Sequence, residues 1–128
     1  MKEFRLIIAG SRDFYDYEAL RDETDLFIEQ LRDRKDINED DFIIIVSGGA
    51  RGADKLGERY ARERNYHCEI HPANWSIGKQ AGILRNIAMA KISQACIIFK
   101  VNDSKGSTHM SQHATKQGLM TKVVSYYV

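Results

Sequence analysis

Residues 43–55, Ile-Ile-Ile-Val-Ser-Gly-Gly-Ala-Arg-Gly-Ala-Asp-Lys, constrain the fold more than any other stretch. A run of β-branched apolar residues with no alternation is a strand buried on both faces. It stops at Ser47-Gly48-Gly49, and a helix-like pattern through Leu56, Tyr60 and Ala61 follows. A strand, a glycine turn and a helix start therefore meet here. Glycines let backbone N–H groups face outward, and a helix start adds free donors and the positive end of its dipole. The loop, with Ser47, Gly48, Gly49, Ala50, Arg51, Gly52 and Asp54, reads as an anion site, with Arg51 as a fork-shaped donor. The alternative is a plain βα turn whose glycines only allow close packing. The spacing is neither G-x-G-x-x-G nor G-x-x-x-x-G-K-[ST], which argues against a dinucleotide fingerprint or an ATPase loop.

Length and charge bound the partners. A chain of 128 residues makes one domain, over residues 1–128, with a core large enough to cover both faces of a small sheet. A formal net charge of +1 argues against a strongly basic nucleic-acid binder. The N-terminal apolar run, Leu6 to Ala9, is too short for a signal peptide, and no stretch approaches the roughly 20 apolar residues of a membrane span. A cytoplasmic protein with Cys68 and Cys96 reduced is expected.

The chain alternates in type. Phe4–Ala9, Phe42–Val46, Tyr66–His71, Ala95–Val101 and Lys122–Val128 read as strands. Helices are expected over Tyr17 to about Arg32, Ala53 to about Asn65, Lys79–Lys91 and from the turn at residues 102–108 to Gln117, with Gly118 as the C′ glycine. The third helix is expected to bury Leu84, Ile87 and Ala88. The strand at Tyr66–His71 alternates as an edge strand does, with Cys68 on the opposite face from His67 and His71, so no metal site is expected there. Five strands with helices between them imply an α/β fold: a parallel sheet with right-handed crossovers, helices on both faces and a ligand crevice at the carboxyl ends of the strands. Four polar or glycine-rich strand ends converge there: Gly10 to Asp13, Ser47 to Asp54, Asn74-Trp75 and Asp103 to Thr108.

Three ordered motifs carry a family likeness. Gly10-Ser11-Arg12-Asp13-Phe14, Ser47-Gly48-Gly49-Ala50-Arg51-Gly52-Ala53-Asp54 and Trp75-x-x-Gly78-Lys79-x-Ala81-Gly82-x-x-Arg85-Asn86-x-x-Met89 resemble the YspA-related branch of the SLOG superfamily, from Phe4 to Val124. That superfamily also holds the Lonely Guy phosphoribohydrolases and the DNA-processing protein A family. The resemblance implies a Rossmann-like three-layer α/β/α sandwich with strand order 3-2-1-4-5, a nucleotide or nucleotide-derived ligand, and a homodimer. In the Lonely Guy enzymes an arginine on the third helix and a glutamate after P-G-G-x-G-T serve hydrolysis of a nucleoside-monophosphate glycosidic bond. Arg85 matches that arginine, and His109 stands where the glutamate would be. Gly106, Ser107 and Thr108 keep part of the second phosphate loop without its proline and double glycine.

Each candidate has two readings. Ser11 and Arg12, beyond Gly10, hold a phosphate or ribose, or Arg12 pairs with Asp13 or Asp54. Trp75 stacks on a base or covers the edge of the core. Lys79 and Arg85 lie about 120° apart on a helix, so one of them faces the crevice, and Arg85 is chosen. Asp54 caps the second helix or holds a ribose hydroxyl, with capping expected. His109 and His113, four apart, lack a further ligand at metal spacing, so no metal or cofactor is expected. The chain then reads as a nucleotide-binding sensor or sequestering module, with a glycosidic-bond hydrolase through Arg85 and His109 as alternative. A DNA-associated adaptor is a weaker third reading, disfavoured by the near-neutral charge.

Overall fold

A computed structural model of the chain describes residues 2–128, so Met1 of the expected domain lies outside the described residues. The order is β1 (Glu3–Gly10), α1 (Tyr17–Asp33), β2 (Phe42–Ser47), α2 (Ala53–Arg64), β3 (His67–Ile70), a 3-10 turn (Trp75–Ile77), α3 (Ala81–Ile92), β4 (Ala95–Val101), α4 (Lys105–Lys116) and β5 (Met120–Tyr126). The strands form one parallel sheet of order β3-β2-β1-β4-β5, the Rossmann-like arrangement. β1 is central, with Leu6 opposite Ile45 on one side and Ala95 on the other.

The sheet divides its side chains by the period of two that strands impose. Leu6, Ile8, Ile43, Ile45, Ile97 and Phe99 pack with Leu20, Phe27, Leu31 and Tyr60 from α1 and α2. Ile7, Ala9, Ile44, Val46, Cys96 and Ile98 pack with Met89, Ala90, Met110 and Ala114 from α3 and α4. Continuous apolar runs thus fill both faces, as a parallel sheet needs. At the end of α4, Gly118 (φ +82°) donates to Thr115, and Leu119 donates to Ala114, both at 3.0 Å. That pairing closes the helix with a C′ glycine.

Three expectations shift. β3 is shorter than Tyr66–His71, because the Tyr66 amide closes α2 by donating to the Ala61 carbonyl at 2.9 Å. β5 starts at Met120, two residues before Lys122, as soon as the Gly118 turn has reversed the chain. α3 starts at Ala81, leaving Lys79 in the preceding turn, and it buries Ala81, Asn86, Met89 and Ala90. Leu84 is half-exposed, Ile87 is partly buried and Ala88 is exposed. This helix is apolar on nearly every side, so its pattern alone does not select the face. The face turned to the sheet is the one carrying Ala81, Asn86, Met89 and Ala90, with Ile83, Leu84 and Ile92 left half-exposed on the other sides.

Candidate functional site

The carboxyl end of β1 is tied before it reaches any cleft. The Ser11 amide donates to the Phe99 carbonyl at 2.9 Å, and the Ser11 hydroxyl accepts from the Val101 amide at 2.8 Å. That hydroxyl also lies 3.4 Å from the Ser107 hydroxyl, and both residues are buried. Ser11 and Ser107, two of the expected phosphate donors, thus fasten β1 to β4 and α4. Gly10 lies beneath them against the Phe99 carbonyl. The next residue, Arg12, is the first of this loop to face open space.

The loop after β2 folds on an internal frame of acids. Ser47, fully buried, donates to Glu58 at 2.8 Å and accepts from the Gly49 amide at 3.1 Å. Asp54 is buried and accepts from the Ala50 amide at 3.1 Å. It therefore caps the loop and not α2, whose start at Gly52 has no side-chain cap. Asp54 and Glu58 share the inward face of α2 by i, i+4 spacing. Gly52 (φ +78°) packs against the carbonyls of Ser11 and Arg12, where an added Cβ would stand 2.5 Å from both oxygens. Gly48 leaves room for the Arg85 guanidinium and the Asp54 carboxylate.

A cleft of about 350 Å³ opens over this loop, lined by Arg12, Gly48 to Arg51, Pro72, Ala73, Trp75 and Arg85. Arg85 reaches in from α3, with Nη1 donating to the Gly48 carbonyl at 2.5 Å and Nε to the Asn86 side-chain oxygen at 3.0 Å. The Arg12 guanidinium lies 5.6 Å from the centre of the half-exposed Trp75 ring. Arg51 is exposed, 3.9 Å from Asp13. Among the described residues, neither Arg12 nor Arg85 has a carboxylate within ion-pairing distance. Burial lowers the pKa of Arg85, partly offset by the field of Asp54. Burial also raises the Asp54 carboxyl to about 6, against the pull of the Ala50 amide and Arg85.

The fourth strand end makes a separate cleft of about 410 Å³, lined by Lys100, Asp103, Lys105, Thr108, His109 and Gln112. The expected single crevice is thus divided. Gly106 is exposed in the first turn of α4, and the Thr108 hydroxyl is held by the Ser104 carbonyl at 2.9 Å. His109 is partly buried and stacks on His113, ring centres 5.9 Å apart; burial and His113 lower its pKa. Asn86 stands between the clefts, its amide nitrogen 3.3 Å from His109 Nδ1. Lys79 lines neither cleft. Among the described residues, no group of three or more His, Cys, Asp or Glu side chains is placed to hold a metal ion.

Sequence reasoning missed Asn86 and Glu58 as parts of the site. Glu58 carried a signal, being an acid in register with the apolar face of α2. Asn86 stood beside Arg85 in the third motif of the family likeness, with no role attached to it.

Comparison with known proteins adds two likenesses. The model of the YspA, cpYpsA-related SLOG family matches residues 4–78, from β1 through the 3-10 turn. That stretch contains Arg12, the glycine loop and Trp75; Arg85 and Asn86 lie beyond it. The Gene 61 protein of Mycobacterium phage D29 is 33% identical over 127 residues, covering 90% of this chain and 91% of its own. No solved structure matches.

Proposed function

The chain belongs to the YspA, cpYpsA-related SLOG family, and from that premise we propose that it binds a nucleotide or nucleotide-derived ligand, as a sensor or sequestering module. SLOG membership points to nucleotide-related binding or processing. The phosphate would sit in the cleft over Gly48 to Arg51, between Arg12 and Arg85. The observation that carries this reading is that both arginines face the cleft with no carboxylate in ion-pairing range. Arg85 is half-buried with only the field of Asp54 and no directly bonded carboxylate, and a phosphate offers matched acceptors for its forked donors. Trp75 at the rim supplies a flat apolar surface for a base. Arg51, exposed beside Asp13, is a third guanidinium at the mouth.

Hydrolysis of a glycosidic bond is the weaker reading. Such a reaction needs an acid or base at the reacting bond. His109 lines the other cleft, and its Nδ1 is engaged by Asn86. Asp54 lies under the loop, holding the Ala50 amide.

Calorimetry with adenosine monophosphate and adenosine tests the proposal. Tighter binding of the monophosphate by at least tenfold, weakening as salt rises, is expected. Equal affinities for the two would overturn a phosphate-led site.

A further inference from the structure

Resting on the anion-binding reading of the first cleft, we infer that Asn86 is a positioning residue that links Arg85 in that cleft to the protonation of His109 in the second. The chemistry of the three groups fixes their roles. A guanidinium Nε–H can only donate, so the Asn86 atom 3.0 Å from it is the amide oxygen. The amide nitrogen then faces His109 Nδ1 at 3.3 Å, and an NH₂ group can only donate. Nδ1 must therefore accept, and the histidine is neutral with its proton on Nε2. Asn86 is only 8% exposed, so water cannot readily replace either partner.

Protonating His109 breaks this arrangement. Nδ1 then carries a hydrogen, and two donors oppose each other across 3.3 Å. Turning the amide over satisfies the imidazolium but sets NH₂ against the Arg85 Nε–H. In either orientation one donor is left without an acceptor. With the amide turned, Arg85 keeps only the Gly48 carbonyl and loses the contact that fixes its fork over the loop. The surroundings of His109 set the balance. Its burial and the stacked His113 favour the neutral ring. Of the charged groups nearby, Lys100 and Lys105 in its cleft and Arg85 behind Asn86 on α3 act in the same direction, and Asp103 acts against them. Linkage is reciprocal: an anion that holds Arg85 in place must lower the proton affinity of His109 by the factor that protonation lowers anion affinity.

The test uses the whole protein and ADP-ribose, whose pyrophosphate keeps its charge between about pH 5 and 8, where a monophosphate titrates near 6. Imidazole NMR follows His109, and calorimetry follows binding, in the wild type and in Asn86→Asp. The aspartate keeps an acceptor for Arg85 and offers one to the imidazolium. The His109 pKa should therefore rise in Asn86→Asp, whereas saturating ADP-ribose should lower it in the wild type. From about pH 8 to 5 the wild type should lose about five- to tenfold in affinity relative to Asn86→Asp. Asp54 titrates in the same range in both proteins, which is why the difference between them is read. Arg85→Gln serves if Asn86→Asp does not fold: with Nε–H gone, Asn86 turns freely and the His109 pKa should rise without any ligand. An unchanged His109 titration in the folded variants would overturn the link. If ADP-ribose binds neither wild type nor variants while the His109 pKa still rises in Asn86→Asp and Arg85→Gln, the link stands and the anion-binding reading fails.

Discussion

The two clefts at the carboxyl end of the sheet have similar volumes, about 350 and 410 Å³, but opposite construction. The first is floored by a loop whose glycines make space and whose acids lie inside, beneath the surface. Of its arginines, Arg12 and Arg85 have no carboxylate within ion-pairing distance among the described residues, whereas Arg51 stands 3.9 Å from Asp13. The second is lined by lysines with Asp103 among them, and its Thr108 hydroxyl is already held by a carbonyl. Among the described residues the lysines of the second cleft are no more ion-paired than Arg12 and Arg85, so what sets the first cleft apart is that forked guanidinium donors converge over a glycine loop.

Glycine substitutions break this comparison most sharply. Gly52→Val places a β-branched chain at φ +78° with its Cβ 2.5 Å from two carbonyl oxygens. A loss of roughly 3 kcal/mol or more in chemical denaturation is expected, from strain and the displaced loop. Gly106→Ala, next to Lys105 of the second cleft, meets nothing within 4 Å and lies in a helix. It should stabilise by about 0.5 kcal/mol and leave ligand binding unchanged. Equal damage from both would erase the distinction between the clefts.

Asp54 sharpens the comparison through pH. Its pKa is raised from about 3.9 in an unfolded chain to about 6 in the fold. The folded state therefore holds its proton more tightly, and the ionised carboxylate is destabilising. That penalty, on the order of 2–3 kcal/mol at neutral pH, is relieved as pH falls from about 6 towards 4. Asp54→Asn keeps an oxygen for the Ala50 amide and removes the charge. The variant should be more stable than wild type at pH 7, with the difference shrinking on acidification. Denaturant titrations at several pH values check this, and a constant difference would contradict it.

Trp75 gives the smallest effect. Its ring is half-exposed, touched by Arg12 and close to Gly82. Trp75→Ala should weaken binding of a nucleotide by about 1–2 kcal/mol and leave thermal stability nearly unchanged. A large loss of stability would make it a cover for the core and not a stacking surface.

How far the sequence was legible follows from how each signal is encoded. The buried strands and the β2–α2 loop were readable because unbroken β-branched runs and a glycine cluster carry them locally. The order of strands came with the family likeness and the crossover rule. α3 was misread on its face, since a helix with Ile83, Leu84, Ile87, Ala88 and Ala90 offers apolar residues in every direction. Ser11 was expected at the ligand, yet whether a hydroxyl turns out to solvent or in to the Val101 amide depends on β4, with Val101 90 residues away. Asn86 meets His109 across two helices, a contact that no local pattern announces.

The most direct test of the central claim is calorimetry of adenosine monophosphate binding to four single variants, Arg12→Ala, Arg85→Ala, Lys100→Ala and Lys105→Ala. The arginine variants should each lose about 1.5–3 kcal/mol of binding free energy, while the lysine variants change by less than about 0.5 kcal/mol. Loss confined to the lysine variants would move the ligand to the second cleft and contradict the account.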